Sequence, residues 1–288
     1  MRLRITFTLI VSVVAATVAA AFLAGGGRTA EPHGRIAVVA AFYPLAYAAE
    51  QLGGSRVMVS NLTPAGAEPH DLELSPKDVA RVKAASLVLL LGHGFQPQLE
   101  RAAGAAGGRV LALLDTPRLE RSGNDPHVWL DPLRYALLVR AIGAALDAGP
   151  AAARLVTRLH ALDREYRVGL ARCARREIVV NHSAFAYLAG RYGLTQISVE
   201  GLSPEAEPAP RELARVAGLV RRGHATTVFS ETLVSPKIAD TVARETGART
   251  DVLDPLEGLT PKALARGVDY FSAMRANLAR LREGLSCR

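Results

Sequence analysis

The chain has 288 residues, 49% of them hydrophobic and 22% charged, a balance that supports one large buried core or two smaller ones and excludes a disordered or collagen-like polymer. Its formal net charge of +8 raises the question of nucleic acid. However, Arg and Lys are scattered rather than gathered into a stripe with interleaved aromatics, so the basic excess reads as a solvated surface and no nucleic-acid partner is expected.

Arg2 and Arg4 precede an apolar run from Ile5 to Ala24, followed by the Gly-rich leader GGGRTAEPHG. Positive, then apolar, then small is the order of an export signal. The apolar run is roughly twenty residues, longer than the usual ~7–15 of a cleaved signal and close to a membrane span. For residues 1–34 a cleaved signal and a retained N-terminal anchor therefore both stand, and the protein is expected in the periplasm or at the cell surface. No Cys lies near the end of the run, so a lipid-modified anchor is not expected.

From residue 35 short β-rich runs alternate with helical ones. The predicted strands are Ile36 to Phe42, Val57 to Leu62, Leu87 to Leu91 and Val110 to Leu113, separated by segments with apolar spacing of three and four. That alternation predicts an α/β lobe over 35–149 with a parallel sheet flanked by helices. A charged, nearly Gly-free stretch over 150–175 predicts one long rigid linking helix. Strands at Ile178 to Asn181, Gln196 to Val199, Thr227 to Ser230 and Thr250 to Leu253 then build a second α/β lobe over 176–288. The segments Ser75-Pro-Lys-Asp78 and Ser235-Pro-Lys237 echo one another. Each predicts a helix with Ser as N-cap and Pro in the first turn.

The two cysteines, Cys173 and Cys287, lie well past the leader. In an oxidising compartment two thiols in one chain are most simply a disulfide, and neither has a neighbour at zinc-site spacing.

Of the seven histidines, His33 and His160 lie in polar or charged surroundings and His224 in a turn. His70, His127 and His182 each follow a predicted strand, and Asp254 ends another. Ligands of open parallel sheets bind outside the carboxyl ends of strands, so these four side chains can converge on one crevice. Three imidazoles and a carboxylate suit a tetrahedral Zn2+, whereas Mn2+ prefers a more oxygen-rich site. Gaps of 57, 55 and 72 residues match no short zinc motif. On residues alone, a shared metal site and three separately hydrogen-bonded structural histidines both stand. Glu68, Glu205 and Glu231, in loops near these positions, are candidates to accept a hydrogen bond from an imidazole N–H. His93, in L-G-H-G-F, is a candidate rim or structural histidine, with a transient ligand role as its alternative. Trp129 reads as core.

The segments NLTPAGAEPHDLELSPKD, NDPHVWLDP, VVNHSAFAYLAGRYGL, ISVEGLSPEAEPAPREL, VFSETLVSPKIADTVARETGA and LDPLEGLT resemble, in that order, the zinc-binding ZnuA-like branch of the metal solute-binding proteins (cluster A-I) that serve ABC importers. The resemblance runs from about Arg35 to the C-terminus. It implies two α/β lobes joined by a long helix and one buried Zn2+ held by His70, His127, His182 and Asp254. It also implies a non-enzymatic monomer that delivers the metal to a membrane permease. The sequence departs from many zinc members in lacking a His-rich loop: residues 115–125, DTPRLERSGND, contain no histidine. A surface adhesin on the same fold and a zinc-dependent hydrolase are the rival functions, the second opposed by the absence of an H-E-x-x-H signature.

Overall fold

A computed structural model describes residues 34–202, 209–223 and 225–288. Residues 1–33, where an export signal or anchor is expected, and Glu205 lie outside the described residues.

The first sheet comprises β1 (Ile36–Ala40), β2 (Val57–Asn61), β3 (Leu87–Leu90) and β4 (Arg109–Ala112), the second β5 (Glu177–Val180), β6 (Thr195–Ser198), β7 (Thr227–Ser230) and β8 (Arg249–Val252). Every pairing is parallel, and the orders are β2-β1-β3-β4 and β6-β5-β7-β8, the same topology twice. Central strands covered by helices on both faces must be apolar throughout rather than alternating. Accordingly all four residues of β3, LVLL, are apolar and buried, and β7, TVFS, is buried along its whole length with polar Thr227 and Ser230 only at its ends. Register pairs Ile36 with Val57 and Leu87 with Arg109 in one sheet, and Glu177 with Thr195 and Thr227 with Arg249 in the other. The carboxyl ends of each sheet are thereby collected along one edge, from which the loops bearing the candidate site depart.

The helices are α1 (Tyr43–Gly53), α2 (Pro76–Ala84), α3 (Pro97–Ala103), α4 (Pro132–Ala145), α5 (Gly149–Gly169), α6 (Ala186–Tyr192), α7 (Pro210–Arg222), α8 (Lys237–Thr246), α9 (Pro261–Ala265) and α10 (Tyr270–Gly284). Helix α2 starts as its sequence predicts. Ser75 Oγ accepts from the Asp78 N–H while Asp78 accepts from the Ser75 N–H, with Pro76 in the first turn, a reciprocal cap worth about 1 kcal/mol. The echo at Ser235 does not repeat this cap. Helix α8 begins at Lys237 with Pro236 in the cap position, and Ser235 Oγ accepts only the Lys237 N–H at a long 3.5 Å, without a reciprocal bond.

The linking helix α5 runs 21 residues, about 31 Å at 1.5 Å per residue. It stops at Gly169 rather than continuing to 175. The Arg176 guanidinium takes the carbonyls of Leu170 and Ala171 at 2.9 and 3.1 Å, and Cys173 is drawn into a disulfide with Cys287. Gly169 permits a close crossing of α10, since a Cβ there would lie 3.0 Å from Leu278 Cδ1.

One core spans both sheets. It runs from Val38, Leu89 and Leu45 through Tyr135 and Leu159 to Tyr166, Phe271, Met274 and Leu281, while a smaller cluster around Val179, Val216, Val228 and Val242 backs the second sheet. Trp129 is fully buried, touches Phe42, and donates from Nε1 to the Pro255 carbonyl at 2.8 Å. A core shared in this way favours limited relative movement of the two halves over a free hinge.

The disulfide joins residues 114 apart. Constraining a loop of that length in the unfolded chain contributes about 4–5 kcal/mol. Replacing both cysteines by Ser is expected to lower the denaturant-extrapolated stability by that amount with the far-UV circular dichroism unchanged. A loss under 1 kcal/mol would show that the bridge does not restrain the unfolded chain.

Candidate metal centre

Two residues from loops of the first sheet and two from the second meet at one point. One ligand-type atom from each of His70, His127, His182 and Glu257 lies within 4.8 Å of every other. The His70, His127 and His182 side chains come together as the strand-end positions predict.

His70 leaves a loop that follows β2 and is clamped from several sides. Thr63 Oγ1 donates to the Ala41 carbonyl at 2.7 Å, Gln96 Nε2 to the Pro69 carbonyl at 3.0 Å, and the Gly66 N–H to the Leu259 carbonyl at 3.0 Å. Gly66 has φ of 85°, a conformation glycine adopts without a Cβ clash. Pro69 restricts Glu68 to extended backbone, and the His70 ring then packs edge-on against Phe95 at 4.7 Å.

His127 follows β4 and a turn. Asp125 Oδ1 accepts both the His127 N–H at 2.9 Å and the ring Nδ1–H at 2.8 Å. His182 lies two residues past the end of β5, and its Nδ1–H donates to Glu231 Oε1 at 2.6 Å. A carboxylate on Nδ1 fixes the ring and leaves Nε2 facing the centre. Glu231 therefore occupies the imidazole-accepting position expected of it. Asp125 holds the equivalent position for His127 and was not singled out by sequence. Its signal was the pair D-P-H, an acidic residue two before a histidine, in a loop rigidified by Pro126.

The carboxylate at the centre is Glu257, not Asp254. Asp254 Oδ1 accepts the Leu256 N–H at 2.8 Å, and its backbone N–H and carbonyl are held by Asn277 at 2.9 and 2.6 Å. Its side chain faces Thr232 and Asn277 in a separate cavity. Spent on that turn, Asp254 shapes the chain instead of reaching the centre. Leu256 then takes φ of 53°, unusual for a branched residue, and the next residue, Glu257, is directed inward. Burial of Asp254, followed by the opposing bond from Leu256, leaves its pKa raised to about 6.

Glu257 is fully buried. Its Oε1 lies 3.1 Å from His70 Nε2, 3.0 Å from His127 Nε2 and 3.5 Å from His182 Nε2, while the two latter nitrogens are 3.4 Å apart. Tetrahedral ligands at the ~2.0–2.2 Å bonds of zinc stand about 3.3–3.6 Å from each other, so these four separations lie within a few tenths of an ångström of that spacing, and the remaining donor pairs lie within 4.8 Å. Buried charge must be compensated. Glu257 Oε2, Glu68 Oε2, Asp125 Oδ2 and Glu200 Oε2 are buried without a hydrogen-bond partner among the described residues. Carboxylates thus outnumber the imidazoles they surround, which suits a dication.

The titration behaviour follows from this crowding. Burial pushes Glu257 up, but its bonds to His127, His182 and His70 outweigh that and hold it well below the usual range. Burial alone would lower His182, yet the bonds to Glu231 and Glu257 drive it up to about 10, and His127 is raised in the same way by Asp125 and Glu257. Glu68 is pushed up to about 9 by burial and then by the Glu257 charge. One of its oxygens accepts the backbone N–H of His70 at 3.3 Å, a backbone contact rather than the expected bond to an imidazole. His93 stands apart on the exposed rim, bonded to Asp115.

The chain matches the family described as zinc-uptake complex component A, periplasmic, over residues 38–284. It is 32% identical to the zinc-binding lipoprotein AdcA of Streptococcus pneumoniae across 95% of this chain, and it spans only 60% of AdcA. It is 30% identical to the high-affinity zinc uptake system protein ZnuA of Bacillus subtilis, covering 87% of this chain and 88% of that protein. Among solved structures, the Zn(II)-bound ZnuA-like domain of S. pneumoniae AdcA superposes with a TM-score of 0.76 at 33% identity, covering 88% of this chain and 99% of that one. The laminin binding protein of Streptococcus agalactiae, described as bifunctional with adhesin and metal transporting activity, gives 0.79 at 29% identity over 87% and 99%. The lipoprotein among these relatives gives no support to the expectation that a lipid anchor is absent, which rests on residues 1–34 alone.

Replacing Glu231 by Gln keeps the shape and removes the charge on His182 Nδ1. Its titration, followed by NMR in the metal-free protein, is expected to fall from about 10 by roughly one to three units. An unmoved midpoint would show that Glu231 does not hold that proton.

Proposed function

The chain belongs to the zinc-uptake component A family, and from that premise we propose that it captures Zn2+ at His70, His127, His182 and Glu257 and delivers it to the membrane permease of an ABC importer. The observation that carries this reading is the convergence of three imidazoles and one buried carboxylate, drawn from both sheets, with donor atoms all within 4.8 Å of one another and four of their separations between 3.0 and 3.5 Å. Three nitrogens and one oxygen favour zinc over manganese. Segments 35–149 and 176–288 serve as the two lobes and 150–175 as their link, in a protein working as a monomer outside the cytoplasm.

The family is one of uptake components rather than of enzymes. We further infer that the centre is not catalytic, because four side-chain donors complete a tetrahedral shell and leave no position for an activated water. Release then requires the cage to be pulled open. Glu257 and His182 are borne by the second lobe, and docking on the permease would draw them from His70 and His127 against the shared core. Surface attachment is a second role, favoured by the likeness to the S. agalactiae laminin binding protein. Deletion that abolishes zinc-limited growth without loss of attachment would decide for transport.

Calorimetric titration of zinc into the metal-free protein separates the two candidate carboxylates. Glu257→Ala is expected to weaken binding by on the order of a hundredfold or more, whereas Asp254→Asn, which only loosens the turn, costs about tenfold or less. A larger loss from Asp254→Asn, or unchanged binding in His182→Ala, would overturn the assignment.

Acid should weaken capture. With its folded pKa raised to about 10, His182 carries a proton at neutral pH in the metal-free protein, and it must lose that proton to coordinate. Affinity is therefore expected to fall about tenfold per pH unit for each proton displaced, and the binding heat at neutral pH should vary with buffer ionisation enthalpy in the sense of proton release. Heats independent of the buffer would refute the protonated resting state.

A further inference from the structure

His93 is the histidine that the four-residue cage leaves unused and that sits in an unusual place. The tripeptide Gly92-His93-Gly94 has φ of 86°, 60° and 83°, so His93 occupies a left-handed position between two glycines, where a third glycine would meet no steric cost. A non-glycine residue at positive φ is uncommon, and histidine is among the few side chains enriched there. Its side chain is 40% exposed, and Nε2 lies 2.7 Å from Asp115 Oδ1 and 3.0 Å from Arg121 Nη1.

Those two contacts make opposite demands. Donating to Asp115 requires a hydrogen on Nε2, whereas accepting from Arg121 requires the lone pair. A divalent cation bound by Nε2 and the Asp115 oxygen would satisfy both atoms, and the Arg121 guanidinium stands as the positive charge that such an ion would replace. His93 also shares a cavity of about 320 Å³ with His70, Phe95, Asn124 and Leu202. Of the four cage residues, His70 is the one with an exposed edge, its side chain 11% accessible against 0% for His127, His182 and Glu257. The cavity therefore has on its walls both the cage's accessible ligand, His70, and His93, whose partner Asp115 is next in the chain to the lining residue Leu114.

We propose that His93 and Asp115 form a second, weak divalent-cation site that receives hydrated Zn2+ at this cavity and passes it to His70, with Arg121 as the displaceable occupant. The inference rests on the reading of the four-residue cage as a zinc site. Two protein donors with water completing the shell bind loosely and exchange readily, which is what a relay position needs. A relay lowers the barrier in both directions, so it acts on rates and leaves the final equilibrium to the cage.

Stopped-flow mixing of the full chain with zinc, read through a fluorescent chelator, tests this. In His93→Asn, a residue that tolerates the left-handed backbone, association and dissociation are both expected to slow by about tenfold. In Arg121→Ala association should quicken several-fold, because the competing cation is gone. In a His127→Ala, His182→Ala background a cobalt titration should show one weak site that disappears when His93→Asn is added. If the unaltered protein binds zinc tightly while His93→Asn leaves the association rate within twofold, the relay is overturned and the cage reading stands. If the unaltered protein does not bind zinc, the cage reading falls and the relay with it.

Discussion

A single buried carboxylate organises this molecule. Glu257 is buried from bulk solvent and meets three imidazoles, each delivered by a different loop. An ionised group in that position is tolerable only when compensated. Raised histidine pKa values supply the compensation when protons occupy the site, and a dication can supply it in their place. Much of the surrounding architecture follows from holding that arrangement: Asp125 and Glu231 turn two rings inward, and the bond from Leu256 to Asp254 bends the chain so that Glu257 arrives from the second sheet.

The scaffold makes the cage rigid rather than adaptive. Trp129 reaches across to Pro255, Tyr187 Oη bonds the Asp125 carbonyl, and Tyr270 Oη bonds the Trp129 carbonyl. These are bonds between the two halves of the chain, laid over a core that runs through both. A preformed cage lowers the ordering cost of capture. It also means that opening must break packed contacts, which places the energetic burden on release instead of on binding.

The polar surroundings of the site were less legible than its histidines. Residues His70, His127 and His182 were readable because each is a lone imidazole just past a β-rich run, where parallel sheets present their ligands. In L-D-P-L-E-G, by contrast, two acids lie three residues apart, and nothing in their spacing says which one turns inward. The answer depends on a left-handed Leu256 and on the Asn277 side chain of α10, which grips the backbone of Asp254. Asp125 was missed for a related reason: an acid two residues before a histidine is common, and only the folded turn shows it accepting from the backbone N–H and the ring Nδ1–H of His127.

From the sequence come the elements whose causes are local. The eight strands, the capping box at Ser75, the long linking helix and the pairing of the only two cysteines follow from apolar periodicity, cap chemistry and composition. Tertiary structure decided what depends on distant partners. The linking helix ends at Gly169 because Arg176 and the Cys287 bridge claim the chain beyond it, and Ser235 fails as a cap because its helix starts one residue past Pro236. The central carboxylate is Glu257 because the Asn277 side chain of α10 fixes the turn before it with two hydrogen bonds. Local propensity acts through neighbours a few residues away, whereas the position of a buried charge is set by every element packed around it.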